Sequence, residues 1–258
     1  MQDLKKWFDE AKVPVKIERY PINSMVMVLN SQDIFQMTID TRGKKNRREY
    51  FRIYCGQSNN EVRVTDIDSK LQQAILQVKE PIRTYMVKTW NREKKEWQYQ
   101  PQQTPGFLRN YLMGMDENHL FIAELPNNLG PINKIKDAHK VLKPKIVIKS
   151  EKKLNKIIRQ GEWFFIPATS EEVESIEENI QFTEKKVSLG TNGGRARNSH
   201  IADELVNIQN NIYVKGKISH AEHKTLKLHG WYKVMRNNEA RTSVVSGTPV
   251  YDGVKYVD

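Results

Sequence analysis

Short segments in which apolar and polar residues alternate recur along most of the chain, separated by turn residues. Clear examples are residues 33–40, 48–56, 96–100 and 119–125. A period of two residues is typical of β-strands with one buried face. Helical segments lie among them without the regular strand–helix–strand order of a parallel sheet. The pattern therefore predicts an α+β fold of mixed, mainly antiparallel sheets with several short helices.

The spacing of apolar residues predicts where those helices lie. They are expected at residues 1–12, 65–81, 132–143, 151–161, 169–180 and, as a short helix, 200–210. Thr169 followed by Glu172 matches a capping box, in which each side chain binds the backbone N–H of the other residue. Gly161 is a candidate C-cap, because glycine adopts a left-handed conformation without strain.

Turn residues and composition also predict the pairing of strands and a division of the chain. Residues 82–90 and 96–100 are expected to form a hairpin around the charged turn between them. A basic, proline-containing stretch near residue 150 divides the chain into two subdomains of modest size. The first, 1–149, would carry a basic hairpin loop. The second, 150–258, would carry a Gly/Arg/His loop and a β-hairpin.

The chain contains one cysteine, Cys55. It therefore forms no intrachain disulfide and no zinc site built from cysteines. Cys55 itself is interpreted as a small apolar residue in a strand. The N-terminal segment is charged throughout, and no apolar run is long enough to span a bilayer. We expect a cytoplasmic protein without a membrane partner.

Positive charge is the main compositional indication of a partner. Forty-two Lys and Arg residues against 31 Asp and Glu residues give a net charge of +11. A field of that sign favours polyanions, and nucleic acid is the leading candidate because its phosphates are dense and release counterions on binding. Charge scattered over the surface for solubility is the simpler alternative.

The clearest basic cluster, TRGKKNRREYFR, spans residues 41–52. A basic loop beside an aromatic strand can neutralise phosphates while the rings stack on bases. The residues expected to bind nucleic acid there are Arg42, Lys44, Lys45, Arg47, Arg48, Tyr50 and Arg52. A solvated hairpin loop whose aromatic residues belong to the core explains the same pattern equally well.

A glycine-rich segment, GTNGGRARN, follows at residues 190–198. Its glycines can bring backbone N–H groups close to an anion, and Arg195 and Arg197 would add charged contacts to phosphate. The segment lacks both the P-loop pattern and the GxGxxG pattern of dinucleotide-binding turns. We therefore interpret it as a loop that contacts anions and exclude a nucleotide-binding P-loop.

Four of the six histidines fall between residues 200 and 229. His200, His220 and His223 are candidate catalytic residues. If residues 200–210 are helical, Asp203 and Glu204 share a face with His200 and could help bind a divalent metal. The spacing is not HExxH, and the single cysteine excludes the zinc site of deaminases. Hairpin-turn histidines and a helix-capping His200 are the structural alternative.

Together these features favour a basic nucleic-acid-binding protein that uses the 42–52 loop and the Gly/Arg loop. A metal-assisted nuclease that uses the His/acid cluster is a second hypothesis, and it would need a divalent metal as cofactor. A protein-interaction module for an acidic partner is a third. Whether the protein is an enzyme, and whether it would bind DNA or RNA, single- or double-stranded, stays open at this point.

Overall fold

The computed structural model describes residues 2–22, 33–43, 48–56, 59–104, 106–116, 119–126, 130, 132–153, 156–189, 199–221 and 223–238. Within these ranges, helices α1–α4 lie at Gln2–Glu10, Ile135–Leu142, Lys145–Glu151 and Ser170–Glu178. Strands β1–β15 lie at Val15–Glu18, Gln36–Arg42, Arg48–Tyr54, Glu61–Asp68, Gln73–Glu80, Arg83–Asn91, Glu96–Thr104, Phe107–Asp116, His119–Glu124, Ile158–Gln160, Trp163–Pro167, Glu184–Ser188, Ile201–Ile208, Asn211–Ser219 and Leu226–Arg236. Most neighbouring strands pair antiparallel, which confirms the α+β class. Each helix in the described ranges is too short or too polar to cross a membrane.

The chain forms two compact units. The first contains residues up to 115 together with 119–139, and the second contains mainly residues 140–238. Residues 116–118 also belong to the second unit, and the last crossing from the first unit to the second falls at residues 139–140, within α2.

The first unit has a three-stranded sheet of order β1-β3-β2 and a four-stranded sheet of order β4-β5-β8-β9. Strand β1 runs parallel to β3, with Val15 opposite Phe51, while β2 and β3 are antiparallel. Leu4 and Phe8 of α1 belong to the same buried cluster as Phe51 and Leu76. Strands β6 and β7 form a two-stranded antiparallel sheet of their own in the described part of the chain, which confirms the expected hairpin.

The helix expected at residues 65–81 is wrong, because this segment forms the β4–β5 hairpin. Asp68 Oδ1 accepts hydrogen bonds from the backbone N–H groups of Lys70 at 2.8 Å and Leu71 at 3.0 Å, which begins a turn. Gln72 completes the turn with a φ of 54°. Strand β5 is buried along nearly its whole length. A continuous apolar run of this kind fits a buried strand as well as a helix.

The second unit is built on a six-stranded sheet of order β10-β11-β15-β14-β13-β12. All six strands contribute to one buried cluster, from Ile158 in β10 to Val187 in β12. Strands lie about 4.8 Å apart in a flat sheet. A Cβ on Gly161, in the turn after the edge strand β10, would nevertheless be only 3.5 Å from His200 at the start of β13, so the sheet curls. Helix α4 packs on its other face near Val206 and Trp231, and α3 packs beside Phe164.

Two further helix expectations in this unit are wrong. At 151–161, α3 ends at Glu151 and β10 follows; Gly161, with a φ of +55°, lies in the turn to β11 instead of capping a helix. Residues 201–208 are strand β13. Its buried residues Ala202, Leu205 and Val206 have helix-like spacing because the strand is buried on both faces: Leu205 packs in the large cluster and Val206 packs against α4. The register also shifts between Ala202 and Glu204, opposite a bulge in β14.

The predicted capping box at the start of α4 is confirmed. The Glu172 N–H donates to Thr169 Oγ1 at 3.3 Å, and the Thr169 N–H donates to Glu172 Oε2 at 3.0 Å. Glu172 Oε1 also accepts from the Tyr213 hydroxyl at 3.0 Å and Lys233 Nζ at 3.2 Å. Burial acts to raise the pKa of Glu172, but these hydrogen bonds outweigh it and lower the pKa. One carboxylate therefore joins the helix to two strands of the sheet.

We expect Glu172→Gln to lower the free energy of unfolding by about 1 kcal/mol near neutral pH, because glutamine keeps the cap but loses the charged hydrogen bonds. Since the folded pKa is lowered, this contribution is present above the pKa of the unfolded carboxyl and is lost as pH falls below it. Urea denaturation at several pH values measures it. Glu171→Gln, in the same helical turn, is the matched control. Equal stability of the two variants at neutral pH would contradict the assignment.

Candidate metal centre

Pairing of β13 with β14 brings two of the candidate histidines together. His200 directly precedes β13 and His220 directly follows β14. The last paired residues are Ile201 and Ser219, so His200 and His220 are the next pair in the antiparallel register. His223 lies in the connection to β15 and turns back toward them.

The three imidazole rings form one compact group. Ring centroids are 4.4 Å apart for His200 and His220, 5.4 Å for His200 and His223, and 4.7 Å for His220 and His223. One nitrogen from each ring lies within 4.8 Å of the other two. Among the described residues, this is the one group of three or more His, Cys, Asp or Glu side chains close enough to hold a metal ion.

His200 is the most buried of the three, with 2% of its surface exposed. Its backbone carbonyl accepts a hydrogen bond from the Leu189 N–H at 2.8 Å, which continues the pairing of β12 with β13 and fixes the residue at the end of β13. Its Nε2 is buried and has no hydrogen-bond partner in the part of the chain that the structure describes. A buried polar atom without a partner costs free energy, and a bound ligand at this nitrogen would remove that cost.

Gly161 lies against the imidazole nitrogens. A Cβ at this position would be 3.3 Å from His223 Nε2 and 3.9 Å from His200 Nε2. The neighbouring Gln160 donates from Nε2 to the Lys224 carbonyl at 2.6 Å, which joins the β10–β11 turn to the loop that carries His223. The absence of a side chain at Gly161 therefore leaves space beside two of the three rings.

Electrostatics keep His200 neutral. Burial, followed by the neighbouring His220 and His223 and then Arg236, lowers the pKa of His200 to about 3. Arg236 is itself held by an ion pair with Glu162, at 3.7 Å, and lies over the Trp163 ring. A neutral imidazole is the form that binds metal ions.

The donor set indicates the class of metal. Three imidazole nitrogens suit zinc, copper or nickel better than magnesium or calcium, which prefer oxygen. A tetrahedral zinc site would place its nitrogen ligands about 3.4 Å apart. Ring movements on the order of 1 Å bring nitrogens separated by up to 4.8 Å to that spacing.

Asp203 and Glu204, the acidic metal ligands expected from sequence, are not members of this group. They lie on a strand, so the helical face that was to align them with His200 does not form. Asp203 Oδ2 accepts a hydrogen bond from the Lys217 N–H at 2.9 Å, at the bulge in β14. Glu204 lies opposite Lys185 and Lys215. Asp203 therefore has a structural partner that the sequence did not reveal.

Part of the predicted nucleic-acid surface lies outside the described residues, namely Lys44, Lys45, Arg47, Arg195 and Arg197. Arg42 and Arg48 are exposed and paired at the ends of β2 and β3. Arg52 Nε lies 2.9 Å from Glu18 Oε1, and its Nη1 lies 3.6 Å from Asp40 Oδ2. The Tyr50 hydroxyl donates to the same Asp40 atom at 3.4 Å. Acidic neighbours thus offset the charge of Arg52.

Sequence reasoning missed Gly161, Gln160 and Arg236, because nothing local to these residues links them to the histidines. Only the curl of the sheet brings the β10–β11 turn to the start of β13. No protein-family model, curated protein or solved structure is significantly similar to the chain. The chemistry of the site itself is therefore the basis for a function.

The lowered pKa of His200 predicts how the stability of the metal-free protein depends on pH. Between the ordinary value of 6.5 and about 3, the unfolded chain binds a proton at His200 and the folded chain does not. The free energy of unfolding should therefore fall as pH decreases through that window. Denaturation in the presence of a chelator measures this slope. His200→Gln should flatten it relative to the wild type, and an unchanged slope would contradict the burial of a neutral His200.

Proposed function

We propose that the protein binds one transition-metal ion of the zinc class through His200, His220 and His223. The observation that carries this proposal is the buried Nε2 of His200, which lacks a hydrogen-bond partner in the described ranges and lies beside two other imidazoles. An ion at this point would satisfy that nitrogen and hold the three rings together.

Two half-buried histidines outside the group, His119 and His139, show how His200 differs. His119 Nδ1 lies 3.0 Å from Glu49 Oε1, and His139 Nε2 lies 2.7 Å from Gln73 Oε1. Each of these rings has a polar side-chain partner that explains its position. His200 instead has two other imidazoles stacked against it, an arrangement that is unfavourable once protons are added because like charges then repel.

A three-histidine donor set also favours a chemical role. Catalytic zinc sites commonly use three protein ligands and keep one position for substrate, whereas structural sites use four. An ion bound here would supply a Lewis acid. Hydrolysis of a phosphodiester is the second candidate function, supported by this donor set together with the net charge of +11.

Titration of chelator-treated protein with Zn²⁺ should show one tight site per chain by calorimetry. His200→Gln, His220→Gln and His223→Gln should each weaken binding by at least about tenfold, since each removes one of three ligands. His229→Gln is the matched control, because His229 is exposed on β15 of the same sheet. Co²⁺ gives an independent visible spectrum of a nitrogen-ligated site. Equal Zn²⁺ affinity in all four variants would exclude the centre.

The metal-loaded protein also tests the second candidate. Cleavage of single- or double-stranded oligonucleotides that requires metal and disappears in His220→Gln would support a hydrolase. Zn²⁺ binding without cleavage of either substrate would exclude the nuclease and leave the metal centre intact.

Gly161→Ala should weaken Zn²⁺ binding, because its Cβ would enter the space beside His223 Nε2 and His200 Nε2. The substitution also strains a left-handed backbone by about 1 kcal/mol. Gly130→Ala separates the two effects, since Gly130 has a φ of +80° but no atom of the described residues lies within 4 Å of an added Cβ. Loss of stability is expected in both variants, and loss of metal affinity in Gly161→Ala alone. Unchanged affinity in Gly161→Ala would place the metal elsewhere.

A further inference from the structure

The β6–β7 hairpin of the first unit presents a continuous aromatic and basic face. Its two strands pair over nine positions, from Arg83–Thr104 to Asn91–Glu96, a length of about 30 Å. The hairpin continues beyond Glu80 and Phe107, the last pair of β5 with β8. Within the described ranges β6 and β7 pair only with each other, so no further strand there extends the hairpin at its edges.

Alternation along the two strands separates the faces. Residues 84, 86, 88 and 90 of β6 share one face with residues 97, 99, 101 and 103 of β7. On this face the exposed fractions are 55% for Met86, 48% for Trp90, 58% for Trp97 and 65% for Tyr99. We call this the aromatic face. Contiguous exposed apolar surfaces on soluble proteins are often interaction or ligand-binding sites.

The rings are held in place without being covered. Trp90 and Trp97 are directly opposite each other, with ring centroids 5.4 Å apart and planes at 65°. Lys88 Nζ lies 5.5 Å from the centroid of the Trp97 ring. Edge-to-face packing of this type stabilises a hairpin and still leaves ring faces available for stacking.

Positive charge lies on the aromatic face at Lys88 and in the turn at one end of it. The hairpin contains five basic residues and two acidic ones, and three of the basic residues, Arg92, Lys94 and Lys95, lie in the turn. Asn91 Oδ1 accepts from the N–H groups of Glu93 at 3.0 Å and Lys94 at 3.1 Å, which gives the turn a defined shape. Rings flanked by cations complement a polymer that offers both π-faces and phosphates.

We infer that the aromatic face of the β6–β7 hairpin binds single-stranded nucleic acid, with bases stacked on Trp97 and Tyr99 and phosphates near Lys88, Lys94 and Lys95. Single strands expose the base faces that a duplex keeps stacked, and stacking of this kind tolerates any sequence. This inference is independent of the metal centre, which lies in the other unit. It also gives the nucleic-acid hypothesis a surface that the charge pattern of residues 42–52 did not indicate.

Fluorescence anisotropy with labelled oligothymidylate and oligouridylate of equal length tests the inference on the full chain. We expect binding that weakens as salt rises. Trp97→Ala should weaken it about tenfold, which is the usual effect of removing one stacking ring. Trp97→Tyr should keep most of the wild-type affinity, because tyrosine retains an aromatic ring on which a base can stack. The relative affinities for the two oligomers distinguish DNA from RNA as the preferred source of the strand.

Matched variants separate stacking from charge and from misfolding. Gln100→Ala and Gln102→Ala lie on the opposite, exposed face of the same strand and should leave affinity unchanged. Lys94→Glu with Lys95→Glu alters the turn without touching the tryptophans and should weaken binding. Tighter binding of duplex than of single strands would overturn the inference. So would equal binding of polyglutamate, which indicates an acidic protein partner, or full affinity in Trp97→Ala.

Discussion

The register between β13 and β14 is the constraint on which the second unit depends. It sets His200 opposite His220, and it places Ala202 beside Ile218 in the core of the same sheet. A slip of one residue would reverse the direction of every side chain on one strand. The bulge at Gly216 and Lys217 opposes such a slip. The Lys217 N–H donates a hydrogen bond to Asp203 Oδ2, and only a residue without a side chain fits opposite Asp203, because a Cβ on Gly216 would be 2.9 Å from Asp203 Cβ.

Apolar side chains in place of the three histidines would avoid the free-energy cost of burying imidazole nitrogens. The three imidazoles at the ends of β13 and β14 include buried nitrogens on His200 and His223, and burial disfavours the charged form. The surrounding core offsets this cost, since all six strands contribute apolar residues to it. Local destabilisation supported by a well-packed scaffold is typical of sites that exist for binding or chemistry rather than for stability.

Much of the fold was predictable where local signals agreed. The capping box of Thr169 and Glu172, the β6–β7 hairpin and the α+β class all follow from short-range patterns. The errors have a common cause. In β5 and β13, burial on both faces replaces strict alternation with apolar spacings that a helix would also show. Tertiary packing determined that both segments form strands, and patterns in a single sequence do not contain that information.

The histidines themselves were recognisable because they cluster in the sequence, yet the acidic ligands assigned to them depended on a helix that does not form. The proximity of Gly161 and Arg236 to the histidines could not be predicted from the sequence, because a curled sheet brings together residues that are far apart and irregularly spaced in the chain. The aromatic face of the hairpin was visible only in part. Its strands were predicted, but the exposure of Trp97 and Tyr99 is a property of the folded unit that short-range patterns do not contain.

The parallel pairing of β1 with β3 has a consequence for the order in which the first unit assembles. During synthesis α1 and β1 emerge before β3, the strand that β1 pairs with, which ends at Tyr54. The apolar residues of α1, Leu4 and Phe8, join a core that also requires Leu76 and Tyr111. The amino-terminal helix therefore has to stay undocked until most of its unit has been made, and its apolar face is open to chaperones or to wrong partners throughout that interval.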